Sequence, residues 1–81
     1  MQQDDMTLGE ELEIAINRHG DWDGYKTNYF IKLDAQRRSN ELAIFQQKMN
    51  TEARPTREFA GHLARYREVA DLDRLLRQSG R

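Results

Sequence analysis

The sequence predicts a mainly α-helical fold: a small three-helix domain with one short strand or extended segment, residues 25–33, between the first and second helices. Two observations support this prediction. The 81 residues contain a single proline, and 37% are apolar and 33% charged, which is typical of a compact helical unit with few strong turn signals. Apolar residues also recur at helical spacing in three separate segments. We treat residues 1–81 as one domain with a flexible N-terminus over residues 1–6.

The first helix is predicted to begin after Thr7. Thr7 and Glu10 have the spacing of a capping box, in which each side chain accepts a hydrogen bond from the backbone N–H of the other residue. Gly20 supplies the C-terminal stop. Ile14 points away from the apolar stripe of this helix. The residues of the stripe are Leu8, Leu12, Ala15, Ile16 and His19.

Residues 21–24, Asp-Trp-Asp-Gly, predict a turn, and the segment after them fits two structures. With a period of two, alternate residues from Tyr25 to Leu33 share one face; with a helical period, Trp22, Tyr25, Tyr29 and Leu33 line up almost as well. The β-branched and aromatic content favours a strand. The sequence offers no second strand, so a strand here would have to pair with another copy or with a partner.

The second helix is predicted to run from its N-cap, Asp34, to about Thr51, before Pro55 interrupts the chain. Its apolar stripe is Ala35, Leu42, Phe45 and Met49, and Ile44 lies off that face. Thr56 is expected to cap a third helix. Its predicted buried face is Phe59, Leu63, Tyr66 and Ala70. Val69, Leu72, Leu75 and Leu76 then lie about 115° around from that face. Either the helix breaks near Asp71 or its last turns face a different surface.

The composition excludes several classes of function. The chain has no cysteine, which rules out disulfides, thiolate chemistry and cysteine-containing zinc sites. No apolar run approaches the length of a membrane span, and the first residues lack the basic and apolar regions of a signal peptide. We therefore expect a cytoplasmic protein that does not associate with membranes.

Neither catalysis nor a bound cofactor is predicted. The only serines are Ser39 and Ser79, while His19 and His62 lie in different elements, so no nucleophile has an evident base beside it. His19, Asp21 and Asp23 have ligand chemistry that suits manganese, zinc or non-haem iron. The favoured interpretation is a helix end, where the histidine complements the negative end of the dipole and the acids face water. We predict no metal site.

The leading hypothesis is a non-catalytic protein-binding module that forms a homodimer. Tryptophan and tyrosine are enriched at interface hot spots, and apolar residues on helix sides that the main stripe does not use indicate an interface. Adaptors, assembly factors and accessory inhibitors carried by mobile elements such as phages or plasmids are compatible with a chain of this size. The predicted partner-binding residues are Ile14, Trp22, Tyr25, Phe30, Ile44, Val69, Leu72 and Leu76.

The alternative hypothesis is nucleic-acid binding, for which charge is the first argument. Residues 25–81 hold twelve lysines and arginines against seven acids, whereas residues 1–24 hold seven acids against one arginine. Such asymmetry indicates charged partners unless the two parts neutralise each other within the fold. The nucleic-acid-binding residues of this alternative are Lys26, Asn28, Lys32, Arg37, Arg38 and Arg57.

A family resemblance also favours the alternative. "NYFIKLD" followed by a helix and then "RPTREFAGHLARYRE" resembles the strand–helix–turn–helix of ribbon-helix-helix DNA-binding proteins over residues 25–70. The resemblance implies a dimer whose paired strands enter the major groove, with Lys26, Asn28, Phe30 and Lys32 facing the bases. The chain departs from the family in a longer second helix, in the absence of a glycine between the helices, and in the acidic first helix.

Overall fold

A computed structural model describes residues 6–52 and 56–81. Within these ranges the chain forms helices and no strand, which confirms the predicted mainly α class. The elements are α1 (Leu8–Arg18), α2 (Trp22–Asn28), a 3-10 helix (Phe30–Lys32), α3 (Ala35–Glu52) and α4 (Arg57–Gln78). The predicted flexible N-terminus lies outside the described residues except for Met6, and the predicted helix breaker Pro55 also lies outside them.

The three long helices, α1, α3 and α4, pack against one another, while α2 packs on α1 and the 3-10 helix packs on α4. Among the described residues, six buried side chains form one core cluster, to which every element contributes. They are Leu8, Leu12, Tyr25, Phe30, Phe45 and Val69. In so small a core each side chain provides a large share of the burial that stabilises the fold.

The three long helices begin at the residues that the sequence predicted. Thr7 Oγ1 accepts from the Glu10 backbone N–H at 3.2 Å, and the Glu10 carboxylate accepts from the Thr7 N–H at 2.9 Å, which completes the capping box. Asp34 accepts from the N–H of Arg37 at 2.8 Å, and Thr56 caps α4 in the same way. Each cap satisfies backbone N–H groups that a helix N-terminus would otherwise leave unpaired.

Two long-range contacts define the directions of the helices. At the end of α3, Glu52 Oε1 accepts from the backbone N–H of Leu8, the first residue of α1, at 3.2 Å. Near the start of α3, the Arg38 guanidinium donates to the Asp73 carboxylate near the end of α4 at 2.9 Å. Helix α3 is therefore antiparallel to both of its long neighbours.

The strand predicted over residues 25–33 is wrong. Asp21 accepts from the backbone N–H of Gly24 at 2.6 Å and starts α2, and the 3-10 helix follows directly. Tyr25 and Phe30 are both fully buried. A lone strand would leave its backbone N–H and C=O groups without partners in a single chain, whereas a helix satisfies them locally. The described residues thus form one α-helix more than the three predicted.

Helix α4 continues through Asp71 without a break. The predicted change of face corresponds to a broad packing surface, because α4 contacts both α1 and α3 and a helix between two neighbours buries more than one narrow stripe. Val69 is fully buried and Leu76 is only 9% exposed. Their assignment to a partner-binding surface is therefore wrong; both residues belong to the interior of the domain.

The contact between α1 and α4 leads to a stability prediction. A Cβ atom added to Gly9 would lie 2.9 Å from Nε2 of His62 and closer still to its Cε1. We expect Gly9→Ala to lower the free energy of unfolding by about 1–3 kcal/mol, as overpacking does. In a His62→Ala background the same change should raise it by up to about 1 kcal/mol, because alanine favours the helix. Urea unfolding of the four proteins tests this; equal effects of Gly9→Ala in both backgrounds would contradict it.

Candidate protein-docking groove

Half of the predicted partner-binding residues are buried and not available to a partner. Tyr25 and Phe30 are fully buried, so the prediction that they form a recognition surface is wrong, as it is for Val69 and Leu76. Aromatic side chains bury more area than any others, and in a small domain the core takes them. Trp22 and Leu72 are partly buried and pack against the core cluster.

Ile14 and Ile44 remain, and the structure brings them together. They line one groove where α1 and α3 lie side by side. Ile14 is half-buried, and Ile44 is 42% exposed. The groove is lined by Glu11, Ile14, Ala15 and Arg18 of α1 and by Glu41, Ile44 and Phe45 of α3. These positions recur every three or four residues, which places them on one face of each helix.

The groove has room for one side chain. Its cavity volume is about 100 Å³. A cavity of roughly 150 Å³ holds a benzene molecule, and pockets for cofactors or drug-sized ligands have volumes of roughly 300–1,000 Å³. The groove is therefore too small for a cofactor and matches a single aliphatic side chain.

Glu41 connects the groove to the aromatic residues of α2. Its carboxylate accepts from the Tyr25 hydroxyl at 2.7 Å and from the Tyr29 hydroxyl at 3.3 Å. Burial, together with the hydrogen bond to Glu41 and its charge, raises the pKa of Tyr25 far above its ordinary value. Burial and the charge of Glu41 also raise the pKa of Tyr29. Both hydroxyls therefore stay protonated at neutral pH and act as donors to this carboxylate.

The carboxylates of the groove have no cationic partner among residues 6–52 and 56–81. Neither Glu11 nor Glu41 forms an ion pair within the described part of the chain. Arg18 also lines the groove, but it is exposed and forms no ion pair with either of them. The groove thus combines four apolar residues with two carboxylates that form no ion pair among the described residues.

The other aromatic contacts of α2 are structural. The Trp22 indole N–H donates to Glu68 of α4 at 2.7 Å, and its ring stacks on Tyr25 with centroids 5.5 Å apart. Lys26 pairs with the same Glu68 at 2.6 Å. These two hydrogen bonds, from Lys26 and then from Trp22, lower the pKa of Glu68. Trp22 therefore holds α2 against α4. This structural role explains the tryptophan without requiring it to bind a ligand.

The predicted nucleic-acid-binding residues do not form one surface. Lys26 is bound to Glu68, with a side chain only 15% exposed, and Arg38 is fully buried, so the assignment of Arg38 to a phosphate contact is wrong. Asn28, Lys32, Arg37 and Arg57 are exposed. Arg37 and Arg57 begin the antiparallel helices α3 and α4, which places them at opposite ends of that pair. The strand on which the ribbon-helix-helix resemblance depends is a helix.

Sequence reasoning missed a buried ion pair between Arg38 and Asp73. Arg38 Nε donates to Asp73 at 2.9 Å, and its Nη2 donates to the Arg81 carbonyl oxygen. Arg77 donates to the other oxygen of Asp73, also at 2.9 Å. The sequence did contain an indication that Arg38 is buried, because it lies seven residues before the buried Phe45, on the same face of α3. Its pairing with a residue 35 positions away had no local signature.

The predicted partner-binding residues did not include Leu75, the most exposed large apolar residue in the described part of the chain. Leu75 is 55% exposed on α4, whereas its predicted neighbours Leu72 and Leu76 pack inward. Leu75 does not line the groove between α1 and α3. It is therefore a matched comparison for Ile44, with a similar side chain on a separate surface.

No metal site is evident among residues 6–52 and 56–81, since no group of three or more histidines and acids is placed to hold an ion. His19 stacks on Tyr29 at 4.2 Å instead. In the same two ranges no helix is both long enough and apolar enough to cross a bilayer.

Comparisons of the chain with protein-family models, with curated proteins and with solved structures found no match. The function proposed below therefore rests on the geometry of the groove.

Proposed function

We propose that the chain is a non-catalytic protein-binding module that holds an aliphatic side chain of a partner between Ile14 and Ile44. The observation that carries the proposal is the exposure of Ile44, at 42%, on a groove to which α1 contributes the apolar side chains of Ile14 and Ala15. Burying such a residue against a partner is favourable by about 25 cal/mol per Å² of apolar surface removed from water. The small volume of the groove favours a single anchoring residue over a small-molecule ligand.

The charge distribution argues for a protein rather than for nucleic acid as the partner. Two carboxylates line the groove against one guanidinium, and phosphates would be repelled by the unpaired acids. Among the basic residues that the structure describes, Arg18 alone lines the groove. We therefore retain protein binding and do not propose DNA binding.

Ile44→Asp should remove partner binding without unfolding the domain. A library of random 16-residue peptides displayed on phage, selected on the wild-type chain, serves as the probe. We expect enriched peptides to contain a leucine, isoleucine or valine, and to bind Ile44→Asp at least about tenfold more weakly, as at an interface hot spot. Leu75→Asp is the control and should leave the affinity unchanged. Peptides that bind both variants equally, or no enrichment at all, would contradict the proposal.

Light scattering tests whether the partner is a second copy of the chain, as the predicted homodimer requires. A wild-type dimer that Ile44→Asp converts to a monomer would identify a second copy as the partner and would support docking through the groove. A dimer that survives Ile44→Asp and is lost in Leu75→Asp would assign self-association to the other exposed apolar surface instead.

A further inference from the structure

We propose that the partner segment carries a lysine or arginine next to its aliphatic anchor, and that this cation binds the carboxylates of Glu41 and Glu11. This inference deepens the proposed function and rests on it. It names the chemistry of the partner: a cationic, aliphatic peptide segment rather than a neutral or acidic one.

Glu41 is the first of the two carboxylates that we propose bind the cation. It is half-buried and accepts hydrogen bonds from two tyrosine hydroxyls, yet both donors are neutral. A carboxylate in a partly desolvated position is stabilised further by a cation, because charge-assisted hydrogen bonds are stronger than neutral ones. The carboxylate also has lone pairs beyond the two that the hydroxyls occupy. It can therefore accept a donor from a bound segment without giving up either tyrosine.

Further acidic residues lie near the groove. Glu11 lines the same groove, and Glu10 and Glu13 lie beside it on the exposed side of α1. None of these three acids has an ion-pair partner in the described ranges. Arg18 and Arg37 both act electrostatically on Tyr29, which is bound to Glu41. The four acids still outnumber these two arginines, so the local field attracts cations and raises the rate at which a basic segment reaches the groove.

Three isosteric probes test the inference: 3-methylbutylammonium, 3-methylbutanol and 3-methylbutanoate. Each carries the same branched aliphatic end, and their headgroups are positive, neutral and negative. NMR titrations at low salt would follow the methyl resonances of Ile14 and Ile44. We expect the ammonium probe to bind about three- to fivefold more tightly than the alcohol, as one partly exposed ion pair allows, and the carboxylate to bind most weakly. Added salt should reduce the preference.

Two variants assign the preference to the groove. Glu41→Gln and Glu11→Gln should each reduce the ratio of ammonium to alcohol affinity, while Glu13→Gln, beside the groove but outside its lining, should change it least. Circular dichroism would confirm that each variant is folded, and Glu11→Gln keeps the test valid if Glu41→Gln weakens the fold through its tyrosines. Equal binding of the three probes at the groove would overturn the inference and leave the proposed function intact. If no probe shifts either methyl resonance, the groove does not hold an aliphatic group and both proposals fail.

Discussion

Asp73→Asn is expected to lower the free energy of unfolding by about 3–5 kcal/mol, because it leaves Arg38 charged, buried and without its partner. The Arg38 side chain is 0% exposed and that of Asp73 is 12% exposed. The lost carboxylate also served Arg77, whose guanidinium is half exposed and can turn to water. A domain of this size has roughly 5–15 kcal/mol of stability in total. Urea unfolding followed by circular dichroism should show a large fall in the midpoint.

Asp71→Asn is the matched control. Asp71 pairs with Arg74 at 3.1 Å on the same helix, but both side chains are more than 60% exposed, and such pairs contribute at most about 1 kcal/mol. A double variant with Arg38→Met and Asp73→Leu should recover most of the lost stability, since apolar residues of similar volume can replace a buried ion pair. If Asp73→Asn is no more harmful than Asp71→Asn, the buried pair does not hold α3 to α4 as the structure shows.

Phe30→Ala is expected to cost about 3–5 kcal/mol of unfolding free energy, the usual effect of truncating a buried phenylalanine. Phe30 is fully buried in the core, beside Tyr25 at a centroid distance of 6.1 Å. The change therefore tests the corrected structure of residues 25–33. In a strand of the ribbon-helix-helix type, Phe30 would share an exposed face with Lys32, and its truncation would leave stability nearly unchanged.

Lys32→Ala provides the comparison within the same 3-10 helix. Lys32 is exposed, and surface substitutions of this kind change stability by at most about 0.5 kcal/mol. A thermal or urea unfolding series of the wild type, Phe30→Ala and Lys32→Ala would separate the two structures of this segment. Similar stabilities for all three proteins would favour the strand over the helix.

Local chemistry explains the parts of the fold that could be predicted. Thr7, Asp34 and Thr56 each precede a helix and cap it with their own side chains, and a cap depends on neighbours within three residues. The mainly α class follows from the same local signals. The short α2 was missed because Tyr25 and Tyr29 fit both periods, and the composition favoured the wrong one. Asp21, three residues before Gly24, was the N-cap signal that could have identified it.

The candidate site could be predicted only in part. Ile14 and Ile44 lie off the apolar stripes of their helices, and that pattern alone identified them. Their meeting in one groove depends on how α1 and α3 pack, which sequence spacing does not give. Glu41 had no signal either, since its role comes from tyrosines 12 and 16 residues away. Leu75 was not among the predicted partner-binding residues, because the spacing of Leu72, Leu75 and Leu76 does not indicate which of them faces outward.

Neighbouring residues on α3 differ in burial. Arg38 and Phe45 face inward and hold α3 against the rest of the bundle. Ile44, one residue from Phe45, is exposed to water. Exchanging Ile44 for another side chain of moderate size therefore disturbs little of what keeps the molecule folded. Substitution at this one outward position can therefore change the surface that the domain presents while its scaffold stays the same.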